Sequence, residues 1–117
     1  MVISQGDLFW VDLGEPRGSE PGFRRPFVVV QNDAFNRSKI NTVVVCALSS
    51  NVKLAAAPGN VLLKKGEGNL PKAGVVNISQ VVTLNKDELG NRIGQLPKKR
   101  MEEVIGGLHL LLKPSTL

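Results

Sequence analysis

Two runs of this chain are apolar at consecutive positions, Phe27-Val28-Val29-Val30 and Val43-Val44-Val45-Cys46-Ala47-Leu48. Their Val content marks them as strands. Successive side chains of a strand point to opposite faces, so each run is apolar on both sides. A small sheet that must be covered on both faces implies a closed barrel, a packed helix or a second subunit. With 117 residues the chain has room for one domain and one core, spanning residues 1–117. One Trp, four Phe and no Tyr leave that core to be built mainly from aliphatic side chains.

The remaining segments fit that frame. Residues 7–13 read as a strand, with Phe9, Val11 and Leu13 on one face and Leu8, Trp10 and Asp12 on the other. Residues 14–24 form a long Gly/Pro loop, a type that is often functional. Strands are expected at residues 26–31, 42–48, 59–63, 75–84 and 92–96. Residues 32–40 suit a turn or a single helical turn capped by Asn32 or Asp33. Residues 55–58 read as a loose linker, and residues 64–69 as an exposed charged turn able to touch a phosphate backbone. Residues 86–89 suggest another helical turn. Pro97 opens the one convincing helix, because proline is at home in a first turn. Met101, Val104, Ile105, Leu108, Leu111 and Leu112 share its apolar face. Gly106 and Gly107 each cost that helix about 1 kcal/mol relative to alanine, a cost that close approach of another backbone would explain. The fold class expected is mainly β with α: a small, strongly bent β-barrel with a C-terminal helix.

The net charge of +5 suits a polyanionic partner, nucleic acid or an acidic protein, and equally suits a plain solvated surface. Cys46, the single cysteine, sits in a Val-rich run and reads as a buried, inert thiol; a reducing cytoplasm fits. No stretch approaches the ~20 apolar residues that span a bilayer, so no membrane is expected, and no secretory signal is seen. His109, the single histidine, lies near the boundary of the helix face. One histidine and one cysteine do not make a usual zinc site, the carboxylates show no two-metal pattern, and no phosphate-binding or dinucleotide fingerprint is present. Neither a metal nor an organic cofactor is expected. Any catalysis then rests on arginine, hydroxyl and backbone donors. RNA cleavage suits that equipment, since RNA brings its own 2′-hydroxyl nucleophile.

Two elements carry such groups. Arg24 and Arg25 stand where the long loop runs into the second strand. They are either solvated charges at a strand edge or a fork of donors for phosphate. Ser49-Ser50-Asn51 closes the third strand and is either an ordinary polar turn or a hydroxyl delivered beside the arginines. Gln80 interrupts an apolar strand and reads as a satisfied core amide or an RNA contact. Trp10 reads as packing, with base stacking as the alternative.

Taken in order, GDLFWVDL, GSEPGFRRP, VVVQND, TVVVCALSSN, PGNVLL and VVNISQVVTL resemble the MazF/PemK/Kid toxins, from Gly6 to about Leu112. The resemblance implies a compact SH3-like barrel of the CcdB/PemK type that acts as a homodimer in the cytoplasm. It implies a toxin of a type II toxin–antitoxin system, an mRNA interferase that cuts single-stranded RNA at short sequences without metal. The partner it implies, besides single-stranded RNA, is an acidic and partly disordered antitoxin. The family's catalytic arginine, in its R-P motif, falls on Arg25. Its catalytic hydroxyl, usually threonine in an L-T-S element, falls on Ser49 in Leu48-Ser49-Ser50, a departure that keeps the hydroxyl and loses the restraining methyl. Glu20, Arg24, Asn36, Ser50 and Gln80 are the expected substrate contacts. Two other readings are a CcdB-like protein that binds DNA gyrase and a barrel that binds RNA without cutting it.

Overall fold

The computed structural model describes residues 1–14 and 23–116, with backbone alone at Phe23. Six strands make one antiparallel sheet: β1 (Asp7–Gly14), β2 (Phe23–Val29), β3 (Thr42–Ser49), β4 (Val61–Leu63), β5 (Gly74–Asn85) and β6 (Leu89–Gln95). Their spatial order is β4-β5-β3-β2-β1-β6, and the sheet curls into a half-barrel. Two helices accompany it, the single turn α1 (Asp33–Asn36) and the C-terminal α2 (Lys98–Leu112). The mainly β architecture with a terminal helix is the one expected.

Both faces of the central strands are buried. Leu8, Val28, Cys46, Leu48, Val76 and Ile78 pack in one cluster with Met101, Val104 and Leu108 of α2. Their immediate neighbours Phe9, Phe27, Val29 and Val45 pack in a second cluster with Ile3, Val11, Val43 and Leu89. The consecutive apolar runs thus feed two cores, one roofed by α2 and the other gathered by the curl of the sheet. Cys46 is fully buried, and burial pushes its thiol up to about 11, which leaves no thiolate at neutral pH.

The two ends of the sheet, β4 and β6, are bridged by the charged turn at Glu67–Asn69. Asn69 Nδ2 donates to the Ile93 carbonyl at 2.9 Å, and a Cβ on Gly94 would run into the Gly68 carbonyl. Arg100 at the start of α2 locks the turn, with its Nε 2.8 Å from Glu67 Oε1. The Arg100 hydrogen bond, and then the Lys64 amide, hold the Glu67 carboxyl below its ordinary range. The charged turn thus bridges the strand ends, with Lys64 and Lys65 left exposed.

Other departures have local causes. β2 begins at Phe23, three residues before the expected start, because Arg24 and Arg25 pair with Asp12 and Val11 of β1. Pro26 is tolerated inside it because β3 joins only from Phe27, so no partner on that side needs the missing N–H. The first half of the stretch read as a loose linker, Ala55 and Ala56, ends a 3-10 helix at Val52–Ala56 that is capped by Asn51 Oδ1, which accepts from the Lys53 amide. β6 starts at Leu89, paired with Val11. In α2 the two glycines differ. A Cβ on Gly107 would meet the Gly59 carbonyl and Ile78, as close approach of another backbone requires, whereas a Cβ on Gly106 would meet nothing within 4 Å. Gly59 adopts φ +77°, a left-handed conformation that glycine allows at this crossing.

Candidate active site

The site arises where the ladder between β2 and β3 ends. Its last pair is Phe27 with Ala47. Two residues further along each strand, on the same face, come Arg25 and Ser49. They do not pair: the β2–β3 ladder stops at Phe27 and Ala47, while Ser49 keeps its partner Val75 on the β5 side. Strands that part in this way leave a cleft with an arginine on one lip and a hydroxyl on the other.

β5 forms the far wall through an irregularity of its own. Cys46 pairs with Val81 and Leu48 with Val76, so one residue of β3 faces four of β5. Residues 77–80 are lifted off the ladder there. Asn77 and Gln80 consequently line the same cleft as Trp10, Arg24, Arg25, Ser49, Ser50 and Lys72. The cleft has a volume of about 580 Å³. Its described lining holds guanidinium, ammonium, hydroxyl, amide and apolar groups, and no carboxylate, imidazole or thiol. Such a lining attracts an anion and offers it donors.

The orientation of individual groups follows from their neighbours. The Ser49 hydroxyl oxygen accepts from the Asn51 amide at 3.1 Å, which leaves its proton to donate elsewhere. The Arg24 guanidinium lies over the Trp10 ring, 4.7 Å from its centroid, a cation–π stack that fixes both side chains beside the cleft. Arg25 is half-buried, whereas Arg24 is exposed. Among the described residues no carboxylate pairs with either arginine.

The cleft thus gathers Arg24, Arg25, Ser49, Ser50 and Gln80 of the residues expected from the sequence. Gln80 is exposed, so the reading of a satisfied core amide does not hold. Asn36 is not part of the cleft, and its expected role as a substrate contact is corrected. Its side chain is buried, with Nδ2 donating to the Gln31 carbonyl and Asp33 Oδ1, and Oδ1 accepting from Gln31 Nε2 at 2.9 Å. It fastens α1 to the end of β2. Glu20 lies outside the described residues. Trp10, Asn51, Lys72 and Asn77 also line the cleft and were not singled out as site residues. The alternation of β1 put Trp10 opposite Phe9 and left base stacking open. Nothing in the sequence marks Lys72, and the irregularity that exposes Asn77 leaves no local signature.

The chain matches, over residues 4–112, the family described as the PemK-like, MazF-like toxins of type II toxin–antitoxin systems. It belongs to this family. Endoribonuclease MazF6 of Mycobacterium tuberculosis is 46% identical over 112 residues, which cover 96% of this chain and 98% of the relative. Endoribonuclease MazF of Staphylococcus saprophyticus is 33% identical, covering 99% and 96%. Among solved structures, MazF in the MazE–MazF complex of Deinococcus radiodurans superposes with a TM-score of 0.76 at 27% identity, over 98% of this chain and 99% of that one. The family's fold is therefore the fold found here, and the R-P and L-S-S positions that carried the resemblance both lie in the cleft.

Proposed function

We propose that this chain is a sequence-specific endoribonuclease toxin that cuts single-stranded RNA in the cleft between β2, β3 and β5, without a metal ion. The observation that carries the reading is the meeting of Arg25 and Ser49 in one cleft whose described lining is cationic and donor-rich. Full-length relatives named endoribonucleases support it.

The chemistry follows from the groups available. The RNA 2′-hydroxyl oxygen attacks the adjacent phosphorus and gives its proton to solvent water, while the bond to the 5′-oxygen breaks and that oxygen takes up a proton from Arg25 or water. The products are a 5′-hydroxyl and a 2′,3′-cyclic phosphate, which can open to a 3′-phosphate. Arg25 holds its charge at any working pH, so it is a poor base and a good stabiliser of the charge that grows on the phosphoryl oxygens. Ser49 donates its free proton to the scissile phosphate or aligns the attacking hydroxyl. Arg24, Ser50 and Gln80 contact the flanking backbone and bases. The 2′-hydroxyl requirement restricts the substrate to RNA, and the need for unpaired bases restricts it to single strands.

The chain acts as a cytoplasmic homodimer. An acidic antitoxin segment covers the same cleft, consistent with the net charge of +5 and with the antitoxin-bound form of the Deinococcus relative.

Arg25→Ala and Ser49→Ala test the assignment by single-turnover cleavage. Loss of Arg25 should slow the chemical step by about 10²–10³-fold, the effect of removing one preorganised charged donor. Far-ultraviolet circular dichroism and Tm should stay at the parental values. Cleavage by purified Arg25→Ala at the parental rate would refute the assignment.

A further inference from the structure

Asn77 is distinguished within the cleft by how tightly its orientation is dictated. The lifting of residues 77–80 deprives the Ile78 amide of a ladder partner, and Asn60 Oδ1 accepts from it instead, at 2.9 Å. The other end of the same side chain donates from Nδ2 to the Leu54 carbonyl at 2.9 Å. A backbone donor and a backbone acceptor thus fix which end of the Asn60 amide is which. Its second Nδ2 proton then points to Asn77 Oδ1, 3.2 Å away. The Ser79 hydroxyl donates to the same oxygen at 3.3 Å. With Oδ1 engaged twice, what Asn77 has left for the cleft it lines is its NH₂ group. Among the described residues Nδ2 has no partner, and it is not a buried unsatisfied atom.

We propose that Asn77 is a base-reading residue, a fixed hydrogen-bond donor that selects a keto-bearing base, uracil or guanine, at one position of the cleavage motif. The proposal rests on the endoribonuclease reading above and deepens it. A free asparagine amide can turn over and accept from the amino group of adenine or cytosine as readily as it donates to a carbonyl. Asn77 cannot do so without breaking the contacts from Asn60 and Ser79. An amino edge presented to it would set donor against donor and leave both unpaired, which is how a polar site rejects the wrong partner. Asn60 acts as a positioning residue. It touches no substrate, and it sets the polarity of Asn77 from the backbone.

Two variants test this against the parent on a pool of single-stranded RNA randomised around the cut, with cleavage ratios read for each base at each position. The parent should prefer keto over amino bases by roughly tenfold at one position, the discrimination a single unpaired donor commonly supplies. Asn77→Asp keeps the shape and turns the donor into an acceptor, so the preference at that position should move toward adenine and cytosine. Asn60→Asp keeps the acceptor for Ile78 and removes the donor toward Asn77. The Asn77 amide should then turn over to donate to the new carboxylate and present its oxygen, shifting the same position in the same direction with the new charge behind Asn77 and the Leu54 carbonyl left without its donor. Thermal denaturation checks that both variants fold, and a shift from either folded variant at a single position supports the proposal. If the parent cuts at a defined motif and every folded variant keeps the parental base ratios, the inference is wrong and the endoribonuclease reading stands. If the parent cuts no RNA, the endoribonuclease reading fails and this inference fails with it.

Discussion

At the scale of single residues, the site depends on which proton each donor has left. Ser49 spends one lone pair on the Asn51 amide and keeps its O–H, so a threonine there would keep the same proton. The threonine methyl would add a restraint on χ1, and strands accept β-branched side chains well. Ser49→Thr should therefore cleave as fast as the parent or a few-fold faster, measured as a single-turnover rate on one RNA, whereas Ser49→Ala should be slower. A rate for the threonine variant well below that of alanine would show that the hydroxyl is not the working group. The short motifs R-P and L-S-S drew attention to Arg25 and Ser49 in the sequence, and both line the cleft. By contrast, Asn36 misled. A polar residue in a turn looks available, and only the tertiary contacts reveal that Gln31 and Asp33 occupy its amide. The neighbourhood that occupies it also holds the Asp33 carboxyl below its usual range, chiefly through the Gln5 amide and then Asn36.

At the scale of elements, the paired glycines of α2 offer a controlled comparison. Gly107 faces the Gly59 carbonyl and Ile78, while Gly106 faces open space. Gly106→Ala should raise stability by up to about 1 kcal/mol through helix propensity. Gly107→Ala should lower it by about 1–3 kcal/mol, the usual cost of forcing extra atoms into a packed contact. Chemical denaturation of the two variants gives both signs, and a stabilising Gly107→Ala would contradict the close crossing of α2 over Gly59. Most strands and α2 were legible from valine runs and helical periodicity, because those patterns report burial directly. What stayed hidden were features set by pairing between distant segments. The early start of β2 depends on its pairing with β1, and the displaced segment of β5 on its register against β3. The 3-10 helix at Val52–Ala56 was missed because its residues, and the Ala57-Pro58 that follow, carry no amphipathic signal, and the asparagine cap at Asn51 does the ordering.

At the scale of the whole molecule, the Glu67–Arg100 contact fastens to α2 the turn that bridges β4 and β6, and this gives stability a pH dependence. The folded Glu67 carboxyl lies below its unfolded value of about 4.3. A depressed folded pKa contributes stability above the unfolded value, and that contribution is lost as pH falls through the folded one. The Tm should therefore be flat near neutrality and fall below about pH 4.5, in the range where an unfolded glutamate takes up its proton. Glu67→Gln should lower the Tm at pH 7 and flatten the acid limb, and an unchanged acid limb would show that the bridge does not depend on this carboxylate. The overall architecture was legible because doubly apolar strands in so short a chain require curvature or a roof, and the molecule uses both. The most direct test of the central claim is incubation of the purified protein with mixed-sequence single-stranded RNA in excess EDTA, followed by mapping of the new ends. Cuts at a short shared motif, with 5′-hydroxyl and cyclic or 3′-phosphate ends, are expected from the parent and not from Arg25→Ala. RNA left intact by the parent protein, or cleaved only when a divalent ion is restored, would contradict the claim.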